Sequence, residues 1–271
     1  MYEPWLKAAD KPSPTLPSHS FGKHLRPRAR KIDVAIIGID AEVSKKTREQ
    51  LFSTSWAFGK LVVRDLGNLR KTTPDFVIPL LRELHAAGIT PVLIGSSSQA
   101  FTAQYLAFAE LNRQVSLLKI DRNIRLNPVG EGDEVLDNAV HNKGRRRFHL
   151  THIGAQQHLV DPAIFDLFNA QDYESVSLGP ARGNTLALEP LLRDADLVGL
   201  DISAINYHEA PARSGSVSYS HLTLPPISPV LFSVVSVPFK QIIIRIFRHI
   251  HLHYTHLHPT YPISHHYTHL L

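Results

Sequence analysis

The stretch Leu117-Leu118-Lys119-Ile120-Asp121-Arg122-Asn123-Ile124-Arg125-Leu126 constrains the fold more than any other. Four mostly apolar residues run straight into Asp121, and polar side chains follow at spacings of one and two. An apolar run of this length, ended by a carboxylate, reads as a buried strand of a parallel sheet reaching its carboxyl edge. Open α/β folds hold ligands and metals at that edge. A metal-dependent enzyme wants several carboxylates or imidazoles there. This segment offers one carboxylate, an amide and a guanidinium.

Similar runs flank it. Ile32 to Ile39 reads as a first strand, followed by a helical stretch from about Ser44 to Phe58 and a short apolar piece at Leu61-Val62-Val63. Thr73-Pro74-Asp75 opens a helix, with Thr as N-cap, Pro in the first position and an acid in the first turn. Phe76, Leu80, Leu84 and Ala87 share one face of it, Gly88 stops it, and Pro79 is expected to kink it or shift its start. Ile89 to Gly95 is the next strand and Gln99 to about Asn112 the next helix. Weaker strands follow at Phe148–Ile153 and Ser175–Leu178. A helical Glu189–Arg193 then leads into Leu197-Val198-Gly199-Leu200-Asp201, again apolar residues meeting an aspartate. Strands alternating with helices predict an α/β fold: three layers, a mainly parallel sheet with helices on both faces. Residues 1–30, rich in Pro, Ser and basic side chains, read as an irregular arm that docks on a domain spanning 31–213.

Charge narrows the partners. All 24 acidic residues lie at or before Glu209, and the same stretch holds 25 of the 29 basic ones. A near-neutral body gives no reason to expect a nucleic-acid partner. Lys143-Gly144-Arg145-Arg146-Arg147 reads as a solvated loop, and His149, His152 and His158 as structural. With no cysteine, neither disulfides nor thiolate metal sites are available, which fits a reducing cytoplasm. No secretory signal is evident at the N-terminus.

Beyond about Arg213 the composition changes. No acidic residue follows, and nine of the seventeen histidines lie from His221 onward. Ser216-Val217-Ser218-Tyr219-Ser220-His221-Leu222-Thr223-Leu224-Pro225 resembles the conceptual translation of a transposase adapter used in DNA library preparation. Residues 214–271 are therefore read as a non-native or disordered His-rich tail, leaving the domain incomplete at its C-terminal end. The imidazoles could suggest a metal tract, but no framework fixes their geometry. Pro225, Pro226, Pro229, Pro238, Lys240 and Arg245 interrupt the apolar stretch from Leu224 to Phe247, so no membrane span is expected there.

Three strand ends carry the sharper signal: Ile94-Gly95-Ser96-Ser97-Ser98-Gln99, Asp121-Arg122-Asn123-Ile124-Arg125 and Asp201-Ile202-Ser203. With Arg64-Asp65-Leu66-Gly67-Asn68 and Glu189-Pro190-Leu191-Leu192-Arg193-Asp194-Ala195-Asp196, the pattern resembles the ureohydrolase superfamily of arginases, agmatinases and formimidoylglutamases. Its closest likeness is to the formimidoylglutamase-like branch, and it runs from about Ile32 to Arg213.

The resemblance implies an arginase-like fold and, in active members, a manganese pair. That pair lowers the pKa of a bridging water, which attacks a guanidinium-type carbon. The family's ligands would fall here at Ser98, at Asp121, Asn123 and Arg125, and at Asp201 and Ser203. Only the two leading aspartates survive. Serine and amide oxygens are poor manganese donors, and Arg125 adds a positive charge. No metal cofactor is therefore expected, although a Mn2+ pair would accompany retained family chemistry. Arg125 is expected either to pair with Asp121 or Asp201 in the metal's place or to point into solvent.

Three functional readings follow. The first is a catalytically inactive scaffold for ligand binding or subunit contact, with a small amidino or amino-acid-like ligand as candidate and homo-oligomerisation open. The second is an active metal-dependent hydrolase of amidino or formimino C–N bonds. The third is a truncated fragment without function.

Overall fold

The computed structural model describes residues 2–56, 58–95, 98–109, 114–124, 126, 148–201, 204 and 231–235. Nine described strands form one sheet in the order β1-β3-β2-β4-β9-β8-β5-β6-β7. In chain order these are β1 (Leu6–Lys7), β2 (Val34–Gly38), β3 (Val63–Leu69), β4 (Thr90–Gly95), β5 (Val115–Ile120), β6 (Phe148–Ala155), β7 (Glu174–Ser177), β8 (Leu197–Asp201) and β9 (Leu231–Val235). The pairs β2–β3, β2–β4, β5–β6, β5–β8 and β6–β7 are parallel. The helices are α1 (Phe21–His24), α2 (Ala41–Ser53), α3 (Pro74–Ala86), α4 (Ser98–Ala109), α5 (Pro162–Ala170), α6 (Leu178–Gly183) and α7 (Glu189–Asp194).

Side-chain alternation along the strands divides the core into two faces. Ile36, Ile94, Leu118, Ile120 and Leu200 pack with Phe21, Phe52, Ala181 and Leu192 from α1, α2, α6 and α7. Ala35, Ile37 and Leu93 pack on α3 and α4, and Val115, Leu117, Leu150 and Leu197 on α4 and α5. Every residue of β2, β4 and β8 is buried, because helices cover both sheet faces. The α/β class and three-layer arrangement are those predicted.

The N-terminal arm is docked at two points. β1 adds antiparallel to β3 and seals that edge. Phe21 is fully buried and stacks on Phe52, with ring centroids 6.1 Å apart. Helix α2 starts at Ala41 rather than near Ser44, because the Asp40 carboxylate caps it by accepting from Val43 N at 2.7 Å. Helix α3 runs through Pro79 unbroken. Pro79 and Asp75 are exposed, so the Asp75 carbonyl that loses its donor can be hydrated. Its buried face is Val77, Leu80, Leu81 and Leu84, one position round from the expected stripe, and Phe76 is half-buried.

Of the stretch read as a tail, residues 231–235 are described, and they form β9. This strand lies antiparallel between β4 and β8, with Leu231 opposite both Gly95 and Asp201. It joins two parallel half-sheets whose facing edges would otherwise expose backbone donors and acceptors.

Candidate functional site at the carboxyl ends of β5 and β8

The period-two alternation of β5 places Leu117, Lys119 and Asp121 on the face covered by α4 and α5. Asp121 is fully buried just past the strand. Its Oδ1 accepts from Asn123 N at 3.1 Å, closing a turn, and its Oδ2 lies 3.9 Å from Lys119 Nζ. The backbone holds this turn against β6. Asp121 N donates to Ile153 O at 3.1 Å, and Gln156 N donates to Arg122 O at 2.9 Å. Gly154 makes the approach possible: it has φ +93°, and a Cβ there would stand 3.3 Å from Asp121 O.

The neighbouring strand contributes His152, opposite Lys119 and 1% exposed. Its Nε2 is 3.1 Å from Asn123 O. A carbonyl only accepts, so Nε2 carries the proton and Nδ1 a lone pair. Nδ1 is buried and, among the described residues, makes no hydrogen bond. Burial pushes the imidazole pKa down to about 3, the nearby Lys119 ammonium adds to the shift, and the Asn123 carbonyl opposes it. His152 is thus a neutral, dry side chain at physiological pH. The expected structural role holds for it; His149 packs edge-on against Tyr173, while His158 is exposed.

Asp201 ends β8 and is 5% exposed. Ile120 pairs with Leu200, so Asp121 and Asp201 stand one step further at the same register and on the same sheet face. Ser98 opens α4 three residues beyond the end of β4. The three strand ends therefore meet at one sheet edge, separated only by β9. Arg125 and Ser203 lie outside the described residues. Among the described residues, Lys119, which has no assigned role in the motif itself, is a cation beside Asp121. Its signal was strand parity, since Lys119 and Asp121 are two residues apart. The same parity on β6 points to His152.

The remaining motifs are structural. Arg48 of α2, 4% exposed, reaches into Asp65-Leu66-Gly67-Asn68. Its Nε donates to Asp65 Oδ2 at 2.6 Å and Nη2 to Asp65 Oδ1 and Gly67 O, each at 2.9 Å, while Nη1 donates to Asn68 Oδ1 at 2.6 Å. Gly67 has φ +105° and sits at a register shift between β2 and β3. Arg193 makes exposed ion pairs with Glu189 and Asp194. Asp196 clamps Ser116 through both its backbone N and its Oδ2, fixing β8 beside β5.

The described part of this edge does not suit a pair of divalent ions. It supplies two carboxylates, one amide and an ammonium. Among the described residues, no three His, Asp or Glu side chains are grouped to hold a metal ion. No described helix is long and apolar enough to cross a membrane.

No family model and no curated protein matches the chain in sequence. Solved structures do match. The formimidoylglutamase of Bacillus subtilis superposes with a TM-score of 0.58 at 11% identity, over 79% of each chain. The agmatine ureohydrolase of Thermoplasma volcanium gives 0.53 at 16%, covering 73% of this chain and 75% of that one. A quadruple mutant of the Trypanosoma brucei arginase-like protein gives 0.51 at 16%, covering 74% and 78%. The chain has the arginase-like fold of the ureohydrolases.

Proposed function

We propose that this chain is a ureohydrolase-fold protein that neither holds a manganese pair nor hydrolyses amidino or formimino bonds, and that acts as a binding or subunit-contact scaffold. One observation carries the reading: the buried Asp121 carboxylate faces the Lys119 ammonium at 3.9 Å. Two unit charges at about 4 Å interact by about 4 kcal/mol at an effective dielectric near 20, and a divalent ion there would meet about twice that in repulsion. Two divalent ions bring four positive charges to Asp121 and Asp201, and the amide of Asn123 adds none of the missing anion. Lys119 is thus a cation already beside Asp121, whatever Arg125 adds to the same edge. The T. brucei arginase-like protein was solved with three serines changed to aspartate and one arginine to histidine. Here, too, serine and arginine stand at Ser98, Arg125 and Ser203, where the family resemblance places histidine and aspartate. A small amidino or amino-acid-like molecule is the candidate ligand, a second copy of the chain the candidate partner, and the cytoplasm the expected compartment.

Elemental analysis of purified protein, dialysed after incubation with excess manganese, tests the reading. Far less than one manganese per chain is expected, with no urea from arginine or agmatine and no formamide from formimidoylglutamate. Stoichiometric manganese together with either product establishes an active hydrolase instead, built on the retained Asp121 and Asp201. The combined changes Ser98→His, Asn123→His, Arg125→Asp and Ser203→Asp, with Lys119→Met, are expected to restore metal uptake.

A further inference from the structure

A pocket of about 510 Å³ lies between the N-terminal arm and α2, at the carboxyl ends of β2 and β3. That volume is in the range of small-molecule sites. In the sheet, β4 and β9 separate it from β8 and β5, so it is distinct from the Asp121–Asp201 edge. Leu16 and Phe52 give it apolar walls, and Ala41 at the start of α2 lines it. At the rim Lys45 pairs with Asp10 at 3.3 Å, and Lys11 offsets Glu49, so the mouth is close to neutral.

Behind the rim charges, the polar lining offers donors that nothing else among the described residues uses. Arg48 has five N–H groups and four hydrogen bonds, two of them to Asp65. Asn68 spends its acceptor Oδ1 on Arg48, and among the described residues its Nδ2 donates to nothing. Gly38 holds the pair in place: a Cβ there would lie 2.7 Å from Ser44 Oγ and 2.8 Å from Arg48 Nη1. The pocket therefore presents uncommitted donors from Arg48 and Asn68 against apolar walls. We propose that it binds a short carboxylate-bearing molecule with an apolar body, the carboxylate accepting from Asn68 Nδ2 and Arg48 Nη1.

The test is calorimetric titration of the full chain with 3-phenylpropionate, and separately with its neutral amide. Saturable binding of one molecule per chain is expected, at about 1 mM or tighter. The amide should bind about tenfold more weakly or worse. Asn68→Asp keeps the acceptor that Arg48 uses but turns the free donor into an anion, and Ala41→Phe fills the mouth from an exposed helix position. Each should weaken the carboxylate by about tenfold or more, with circular dichroism unchanged. No saturable binding overturns the proposal, as does binding that Ala41→Phe leaves intact. Equal affinity for acid and amide overturns the carboxylate assignment. Should Asn68→Asp fail to fold, Ala41→Phe and the acid–amide comparison still decide.

Discussion

Acidification should destabilise this protein through His152. The side chain is 1% exposed, and its folded pKa is about 3 against about 6.5 for the free group. The folded pKa is the lower one. Between the two values the unfolded chain binds a proton that the folded chain refuses, and stability falls as pH falls. The contribution is complete above about pH 6.5 and is lost progressively toward pH 3. Linkage with these two values gives almost no penalty at about pH 7.5 and about 2 kcal/mol at about pH 5. Other groups also titrate, so the comparison is with His152→Gln, which keeps a donor for Asn123 O and cannot be protonated. Urea unfolding followed by circular dichroism gives the stability of each protein at both pH values. The parent should lose about 2 kcal/mol more than the variant between them. Equal losses, within about 0.5 kcal/mol, would refute the reasoning, because they would mean that the folded protein accepts the proton.

Three further perturbations address the other buried groups. Arg48→Met removes four hydrogen bonds and leaves the Asp65 carboxylate without its cation, so a loss of roughly 3–5 kcal/mol is expected in urea unfolding. Lys119→Met should cost roughly 1–3 kcal/mol by removing a cation beside buried Asp121, and adding Asp121→Asn should recover part of it; a double-mutant cycle that shows simple additivity would dismiss the pairing. Ser233→Pro in β9 removes a backbone donor and clashes in the middle of the sheet, so a loss of about 3 kcal/mol or more is expected in the melting transition; an unchanged transition would show that β9 does not bridge β4 and β8.

Much of the architecture was legible because it is local. Apolar runs meeting Gly38, Gly95, Asp121 and Asp201 marked four strands by composition alone, and Thr73-Pro74 marked the start of α3 to the residue. Element ends were less secure. The N-cap at Asp40 set the start of α2 three residues earlier than the apolar pattern suggested, and α3 continues through Pro79, which lies on its exposed face.

The site was legible only in part. Asp121 and Asp201 each end an apolar run, and it was the ureohydrolase resemblance that put both at one sheet edge. It could not say which cation would face Asp121. Parity on β5 places Lys119, two residues upstream, beside it. It could not distinguish buried His152 from exposed His158 either, since that depends on which strand lies beside β5. Nor could it show a place for β9, because the gap between β4 and β8 exists only once both half-sheets have formed. Apolar periodicity is written in neighbours along the chain and so determines the elements. Charge pairing, desolvation and the filling of a sheet depend on neighbours tens of residues apart, and only the tertiary structure brings those together.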